Sequence, residues 1–153
     1  YPSIQRTINV PWQDYVILDD VVMTKLSTVV TEIDLQQNEM QSALGERVTD
    51  ESGSRQGNLL FPPQTECAIV LPDGTTQPVD AIHVRITEYT VGEDGVQAMP
   101  AQLPPNSGYT YCAEFSVDEA DAAGATSVQF DSPIYSYTEN FLGFPVGGIF
   151  TAG

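Results

Sequence analysis

Alternation of apolar and polar residues with a period of two constrains the fold of this chain more than any other feature. The clearest example covers residues 81 to 91, where Ile82, Val84 and Ile86 lie on one face of an extended backbone and mostly polar residues lie on the other. Residues 29 to 35 alternate in the same way. Side chains of a β-strand point to opposite faces in turn, whereas the apolar positions of a helix recur every three to four residues. The chain is therefore predicted to be all-β.

Further short strands are predicted where alternating or apolar runs are bounded by turn residues. They are Tyr15 to Met23 (one bulged strand or two short ones), Asn58 to Phe61, Glu66 to Leu71, Ser127 to Asp131 and Ile134 to Glu139. Met40, Ser42 and Leu44 are expected to share one face of a strand. Pro72-Asp73-Gly74 predicts a tight hairpin turn, since glycine accepts a positive φ. The polar segment 49–57 predicts a hairpin tip or a loop between sheets.

One segment has the pattern of a helix. Ser116-Val117-Asp118-Glu119 matches the Ser-x-x-Glu capping box, and Gly124 supplies a stop, so a short helix is predicted near residues 117–123. Residues 92–108 contain too many glycines and prolines for regular structure, and their length fits a crossover between sheets. The predicted fold is an antiparallel two-sheet β-sandwich of immunoglobulin-like type.

The N-terminal residues 1–14 are predicted to form an extended arm ahead of a single β-sandwich domain, residues 15–153. A chain of 153 residues suits one domain. Within the arm, Ile4, Ile8 and Val10 share one face, which is the pattern of a strand that could pair with a sheet edge. These three residues are the candidate assembly residues.

Acidic residues outnumber basic ones by 21 to 5, which gives a formal net charge of −16. Phosphate binding requires clustered Lys and Arg, so a nucleic-acid partner is not expected. A charge of this size also makes assembled copies repel one another unless salt or bound cations intervene.

Three acidic pairs are candidate calcium ligands, because Ca²⁺ is bound by carboxylate and loop carbonyl oxygens. They are Asp19-Asp20, Asp50-Glu51 and Glu93-Asp94. The chain has no Asp-x-Asp-x-Asp-Gly loop, and for each pair a solvated turn is the more common role. The sequence requires no cofactor, and Ca²⁺ is the ion that these acidic pairs are suited to bind.

The two cysteines, Cys67 and Cys112, lie in separate predicted strands, too far apart in sequence for a Cys-x-x-Cys redox or zinc pair. A bridge between them would close a loop of about 45 residues and stabilise the fold by roughly 4 kcal/mol on the chain-entropy model. We expect this disulfide; the alternative is two buried free thiols.

No catalytic pattern is evident. His83 is the only histidine and lies on the polar face of a predicted strand, and the chain has neither a Gly-x-Ser-x-Gly elbow nor a glycine-rich phosphate loop. Glycoside hydrolysis needs two suitably spaced carboxylates. Such pairs arise easily by chance among 21 acidic residues, so they are not evidence for a glycosidase. A non-enzymatic protein is expected.

Four tyrosines alternate on two predicted strands: Tyr109, Tyr111, Tyr135 and Tyr137. Such a stripe either packs across neighbouring strands or stacks on sugar rings. Packing is the more common role, and a glycan partner is the alternative.

Several motifs occur in one order along the chain: Leu60-Phe61-Pro62-Pro63, Leu71-Pro72-Asp73-Gly74-Thr75, Thr87-Glu88-Tyr89-Thr90-Val91-Gly92, Ala98-Met99-Pro100 and Asn140-Phe141-Leu142-Gly143-Phe144-Pro145-Val146-Gly147. Over residues 20–148 this set resembles a non-catalytic β-sandwich region of large secreted bacterial proteins of the RHS/YD-repeat type, which is itself similar to a ZU5 domain. Gln64, at a turn where the family favours glycine, and the two cysteines depart from the pattern. The resemblance implies a secreted protein or one on the bacterial cell surface.

Proteins of that type would be expected to continue past Gly147 into many further repeats. A free-standing sandwich would lack the strand that continues it and would expose a groove or an edge, which recruits strands from other chains. We therefore expect a structural subunit that assembles with copies of itself, head to tail, into an extracellular fibre or surface layer. The alternative is a monomeric spacer or adhesion module, and no membrane-spanning segment is expected in either case.

Overall fold

The fold was analysed in a computed structural model, which describes residues 1–2, 4–18, 20–95, 97–101 and 110–149. Within these ranges the chain forms eleven strands and one helix. They are β1 (Thr31–Asp34), β2 (Gln41–Leu44), β3 (Val48–Asp50), β4 (Gly53–Arg55), β5 (Asn58–Phe61), β6 (Cys67–Val70), β7 (Thr76–Val79), β8 (Ala81–Glu88), β9 (Ala113–Val117), α1 (Asp118–Ala122), β10 (Ser127–Phe130) and β11 (Tyr135–Tyr137). The predicted antiparallel, all-β, sandwich-like fold with one short helix is confirmed.

The strands are divided among three small antiparallel sheets and a hairpin. Sheet A has the order β1-β8-β9, sheet B the order β10-β6-β7 and sheet C the order β11-β5-β2, while β3 and β4 form a separate hairpin. β2 of sheet C lies beside β1 and β8 of sheet A. Phe61 of sheet C meets Phe130 of sheet B edge to face, with ring centroids 6.0 Å apart. All three sheets therefore contribute to one core.

Alternation along β8 places the core where the sequence predicts it. Ile82, Val84 and Ile86 are 0 to 3% exposed, and each contributes about 1.5–3 kcal/mol by burial. The remaining core residues come from every sheet: Ile33, Leu35, Ala43, Leu59, Phe61 and Cys67. A second, smaller cluster joins Tyr89, Ala98 and Met99.

The hairpins are confirmed. β6 and β7 are joined at Gly74, which has φ 85° and donates its N–H to the Leu71 carbonyl. The Asp73 carboxylate accepts hydrogen bonds from the backbone N–H and the hydroxyl of Thr75, which closes the turn. The polar segment 49–57 contains the tip of the β3–β4 hairpin.

Two predictions about the strands need correction. Residues 15–18 and 20–23 form no strand and are mostly exposed, since they pair with none of the described strands. In β2, by contrast, Ser42 and Leu44 share one face as predicted; that face is exposed, and Ala43, at 1% exposure, is on the buried one. β8 and β9 pair with each other, so the connection between them returns to the same sheet instead of crossing to another.

The helix is found where predicted, but the proposed capping box is absent. The N-cap residue is Val117, and it makes no side-chain capping hydrogen bond. Ser116 ends up within β9, where its Oγ is buried without a hydrogen-bond partner. The Glu119 carboxylate instead accepts the His83 backbone N–H and contacts the His83 ring, because packing of α1 on β8 brings these groups together. No helix in the described part of the chain is long and apolar enough to span a membrane.

Candidate assembly groove

A groove of about 520 Å³ lies between the edges of the three sheets. Its walls are formed by β9, β10 and β11, together with Ala120 and Asp121 of α1. Its floor is made by core side chains, among them Leu59, Phe61 and Val84. The groove therefore opens directly onto the hydrophobic core.

Phe115 shows that the core is uncovered on this side. In the β8–β9 register, Val117 lies opposite Val84 and Phe115 lies opposite Ile86. Opposed residues of an antiparallel pair share a face, and Val84 and Ile86 face the core. Phe115 is thus on the core side of sheet A, yet it is 47% exposed and lines the groove.

Sheets B and C also have core-facing residues that are left uncovered at the groove. Val128 and Phe130 lie opposite the buried Ile69 and Cys67, so they face the core, but both are only half-buried and line the groove. Ser136 of β11 lies opposite Leu59 and is exposed in the groove.

The backbone at the groove is also left without a strand partner. Among the described residues, β9, β10 and β11 are each the last strand of their sheet, and each pairs on one side only. A strand edge presents a row of N–H and C=O groups that can pair with another extended segment. The groove combines such edges with exposed core-facing side chains.

Residues 1–2 and 4–14 of the proposed arm form no helix or strand, and irregular structure continues over residues 15–18 and 20–30. Gln5 donates its N–H to the Pro100 carbonyl, and Arg6 donates to the Gln97 carbonyl. Of the candidate assembly residues, Ile4 is half-buried, while Ile8 is 43% and Val10 60% exposed.

A turn at Pro11–Asp14, with Gln13 at φ 59°, separates the arm from a second exposed apolar stretch. Its exposed large side chains are Tyr15, Val16, Ile17, Leu18, Val21 and Met23. Long exposed apolar stretches of this kind mark interaction surfaces. The base of the region is attached to the sandwich at Ser27, which is bonded to Thr87 and Arg85.

The acidic pairs do not gather into a cation site in the described residues. No group of three or more His, Cys, Asp or Glu side chains there is arranged to hold a metal ion. Asp50 is bound instead by Arg55, since both its oxygens accept guanidinium hydrogen bonds at 2.8 Å. Asp20, Glu51, Glu93 and Asp94 are exposed. Asp19 lies outside the described residues.

Arg55 is the centre of a buried ion cluster. Its side chain is 1% exposed and also bonds Glu88 at 2.6 Å and the Thr90 carbonyl at 2.8 Å, with the Phe141 ring 4.6 Å from its central carbon. The hydrogen bonds from Arg55 hold the pKa of Asp50 well below its ordinary value. The cluster therefore joins the β3–β4 hairpin to the end of β8.

The expected disulfide is absent: Cys67 and Cys112 are both free thiols. Cys67 faces the main core, whereas Cys112 packs against the separate cluster around Tyr89, so the two side chains belong to different packing units. Burial raises the pKa of the Cys67 thiol to about 11. The alternative of two free thiols is the one observed.

The tyrosine stripe is divided by the fold. Tyr111 is half-buried and packs edge to face on Phe141 at 6.5 Å, which is the packing role. Tyr135 and Tyr137 are exposed on β11, at 51% and 59%. Tyr109 lies outside the described residues.

The sequence did not single out Phe115, Val128 and Phe130 as groove residues. Alternation identified their strands, but the same pattern describes a covered and an uncovered core residue. No family model, no curated protein and no solved structure matches the chain. The groove and the arm are therefore the features of the molecule that bear on its function.

Proposed function

We propose that this protein is a non-enzymatic structural subunit that assembles with copies of itself, head to tail, by inserting the N-terminal arm of one copy into the groove of the next. The observation that carries the proposal is the groove itself, where core-facing side chains lie exposed between three unpaired strand edges. An inserted strand would pair with an edge and cover these side chains.

The arm has the side chains that this groove requires. In an extended conformation Ile4, Arg6, Ile8 and Val10 share one face. The three apolar residues match the uncovered core, and the cation matches the groove carboxylates Glu114 and Asp121. Charge and apolar pattern therefore favour this segment as the occupant.

The arm can also reach a neighbouring copy. About 16 residues separate Val10 from the attachment at Ser27, and an extended chain of that length spans roughly 50 Å. Release of the first residues from their own sandwich breaks the hydrogen bonds of Gln5 and Arg6 to the 97–100 turn, each a net contribution of about 1 kcal/mol.

Donor and acceptor surfaces differ, so each copy has one arm to give and one groove to fill. Contacts of this heterologous kind produce open polymers when the rotation between copies does not close a ring. The expected product is an extracellular fibre or surface layer, in line with the resemblance to secreted surface proteins.

Two complementary variants test the proposal. Deletion of residues 1–10 leaves only the groove, and Phe115→Asp leaves only the arm. Each variant alone should be monomeric by light scattering, and an equimolar mixture should form dimers that grow no further. Thr7→Asp, on the opposite face of the arm, is the matched control and should assemble like the unaltered chain.

If the unaltered chain is monomeric, the proposal is overturned and a spacer or adhesion module is favoured. An arm that fills the groove of its own copy would overturn the proposal in the same way. Failure of the two variants to form dimers on mixing would also exclude strand donation, even if the unaltered chain assembles by other contacts.

A further inference from the structure

The outer face of sheet C lies opposite the core and is independent of the assembly groove. Leu59 and Phe61 face the core, so Asn58 and Leu60 point outward along the same strand. The register places Tyr135 opposite Leu60 and Tyr137 opposite Asn58. Two exposed tyrosine rings therefore stand side by side on this outer face, about 7 Å apart along β11.

A small cavity lies beside Tyr137. It measures about 300 Å³ and is lined by Leu44, Gln56, Asn58, Tyr137, Thr138 and Glu139. This volume is at the lower end of ligand pockets. Most of the lining groups are amide, hydroxyl or carboxylate groups beside one aromatic ring and one leucine.

The polar groups of the cavity are held in place by one another. Glu139 accepts hydrogen bonds from Arg47 at 3.1 Å and from the Gln56 backbone N–H at 2.6 Å. Gln56 in turn donates to the Gly45 carbonyl at 2.8 Å and accepts from Arg47 at 3.1 Å. These side chains are thus oriented before any ligand arrives.

Asn58 is the exception to this network. Its Oδ1 is buried and has no hydrogen-bond partner among the residues that the structure describes. A buried acceptor left without a donor costs about 1–3 kcal/mol, and such an atom calls for a donor from outside the chain. Asn58 lines the cavity, but its Oδ1 has almost no accessible surface, so a donor reaches this atom only if the cavity wall shifts.

We infer that this face binds a neutral carbohydrate, with a sugar ring on Tyr137, sugar hydroxyls bonding to the amide and carboxylate groups that line the cavity, and the chain of sugars continuing over Tyr135. Aromatic faces combine with the C–H side of a sugar, and fixed acceptors select its hydroxyls. Anionic ligands do not fit, because the protein carries a net charge of −16 and the cavity contains Glu139.

Binding is tested with neutral gluco-, manno- and galacto-oligosaccharides, by saturation-transfer NMR and affinity electrophoresis on the full chain. At least one class should bind, and Tyr137→Ala and Asn58→Ala should each weaken binding about tenfold. Tyr15→Ala removes an exposed tyrosine from the apolar stretch that follows the arm and should leave binding unchanged. Circular dichroism should confirm that all variants are folded.

Absence of binding by the unaltered chain to all three classes would overturn the inference, as would a Tyr137→Ala variant that binds like the unaltered chain. Phe115→Asp, which disables the groove, should retain carbohydrate binding. The two proposals can therefore fail separately.

Discussion

Arg55 is the one charged residue that is buried in the described part of the chain, and its environment explains why it is tolerated there. The guanidinium bonds Asp50 through two nitrogens and Glu88 through a third. Bidentate, charge-assisted bonds are the strong ones, and they compensate for the loss of water around the ion. Its carboxylate partners come from different elements, so the cation holds those elements together.

Replacement of Arg55 by alanine should lower the free energy of unfolding by roughly 3–5 kcal/mol, because the Asp50 and Glu88 carboxylates would be left close together without a cation. Arg47→Ala is the matched control. It breaks an exposed ion pair with Glu139, at 55% and 44% side-chain exposure, and should cost less than about 1 kcal/mol. Urea denaturation compares the two, and equal losses would contradict the role given to Arg55.

His83 should make stability depend on pH. Its ring lies 2.6 Å from Glu119 and also faces Glu32 and Asp118, and the hydrogen bond to Glu119 raises its pKa above the ordinary 6.5. A raised pKa means that the stabilisation is complete below pH 6.5 and is lost as pH rises through the folded value. Burial raises the pKa of Glu119, but hydrogen bonds from His83 lower it more, so the net pKa lies below the ordinary 4.5. The stabilisation that ionised Glu119 contributes is therefore lost as the pH falls below 4.5.

The melting temperature of the unaltered chain should therefore exceed that of His83→Gln most between about pH 4.5 and 6.5. The difference should narrow at more alkaline pH as the imidazole loses its proton. Melting curves of the two proteins across this range give the comparison, and a constant difference would show that the pair does not titrate as described.

At the scale of elements, the link between β4 and β5 passes very close to β8. A Cβ built on Gly57 would lie 2.6 Å from the Tyr111 hydroxyl and 2.8 Å from Cγ2 of Ile86. Ile86 belongs to the core and has no room to move. Glycine is required at position 57 because the backbone there passes very close to the side chains of Ile86 and Tyr111, and not because of its φ angle.

Gly57→Ala should therefore destabilise the protein by about 1–3 kcal/mol through overpacking. Tyr111→Phe removes the hydroxyl nearest to the added methyl group, so the double variant should lose less than the sum of the two single losses. A double-mutant cycle by urea denaturation measures this coupling. Additive losses would indicate that the methyl group is accommodated elsewhere.

For the whole molecule, the net charge of −16 opposes the contact between copies that the proposed function requires. Raising the salt concentration from about 0.01 M to 0.15 M shortens the Debye length from about 30 Å to about 8 Å. Assembly should therefore increase over this range, as measured by light scattering.

At equal ionic strength CaCl₂ should promote assembly to the same extent as NaCl. A much larger effect of calcium would point to a specific cation site.

Local sequence was a good guide to the elements. The alternation in β8, the turn at Gly74 and the short helix after Ser116 were all predicted, since each depends on residues within a few positions of one another. It failed for residues 15–18 and 20–23, an apolar run suited to a strand that pairs with none of the described strands. Strand formation depends on a partner, and the run itself does not contain that information.

The sequence by itself determined that the chain would be an antiparallel β protein, roughly where most of its strands lie, and that its surface would be strongly acidic. Only the tertiary structure decided that the cysteines remain apart, that Asp50 pairs with Arg55, and that Phe115 faces an open groove. These outcomes depend on which segments distant in sequence meet in space. The period of a strand indicates which face is apolar, but only the packed fold shows whether another strand covers it.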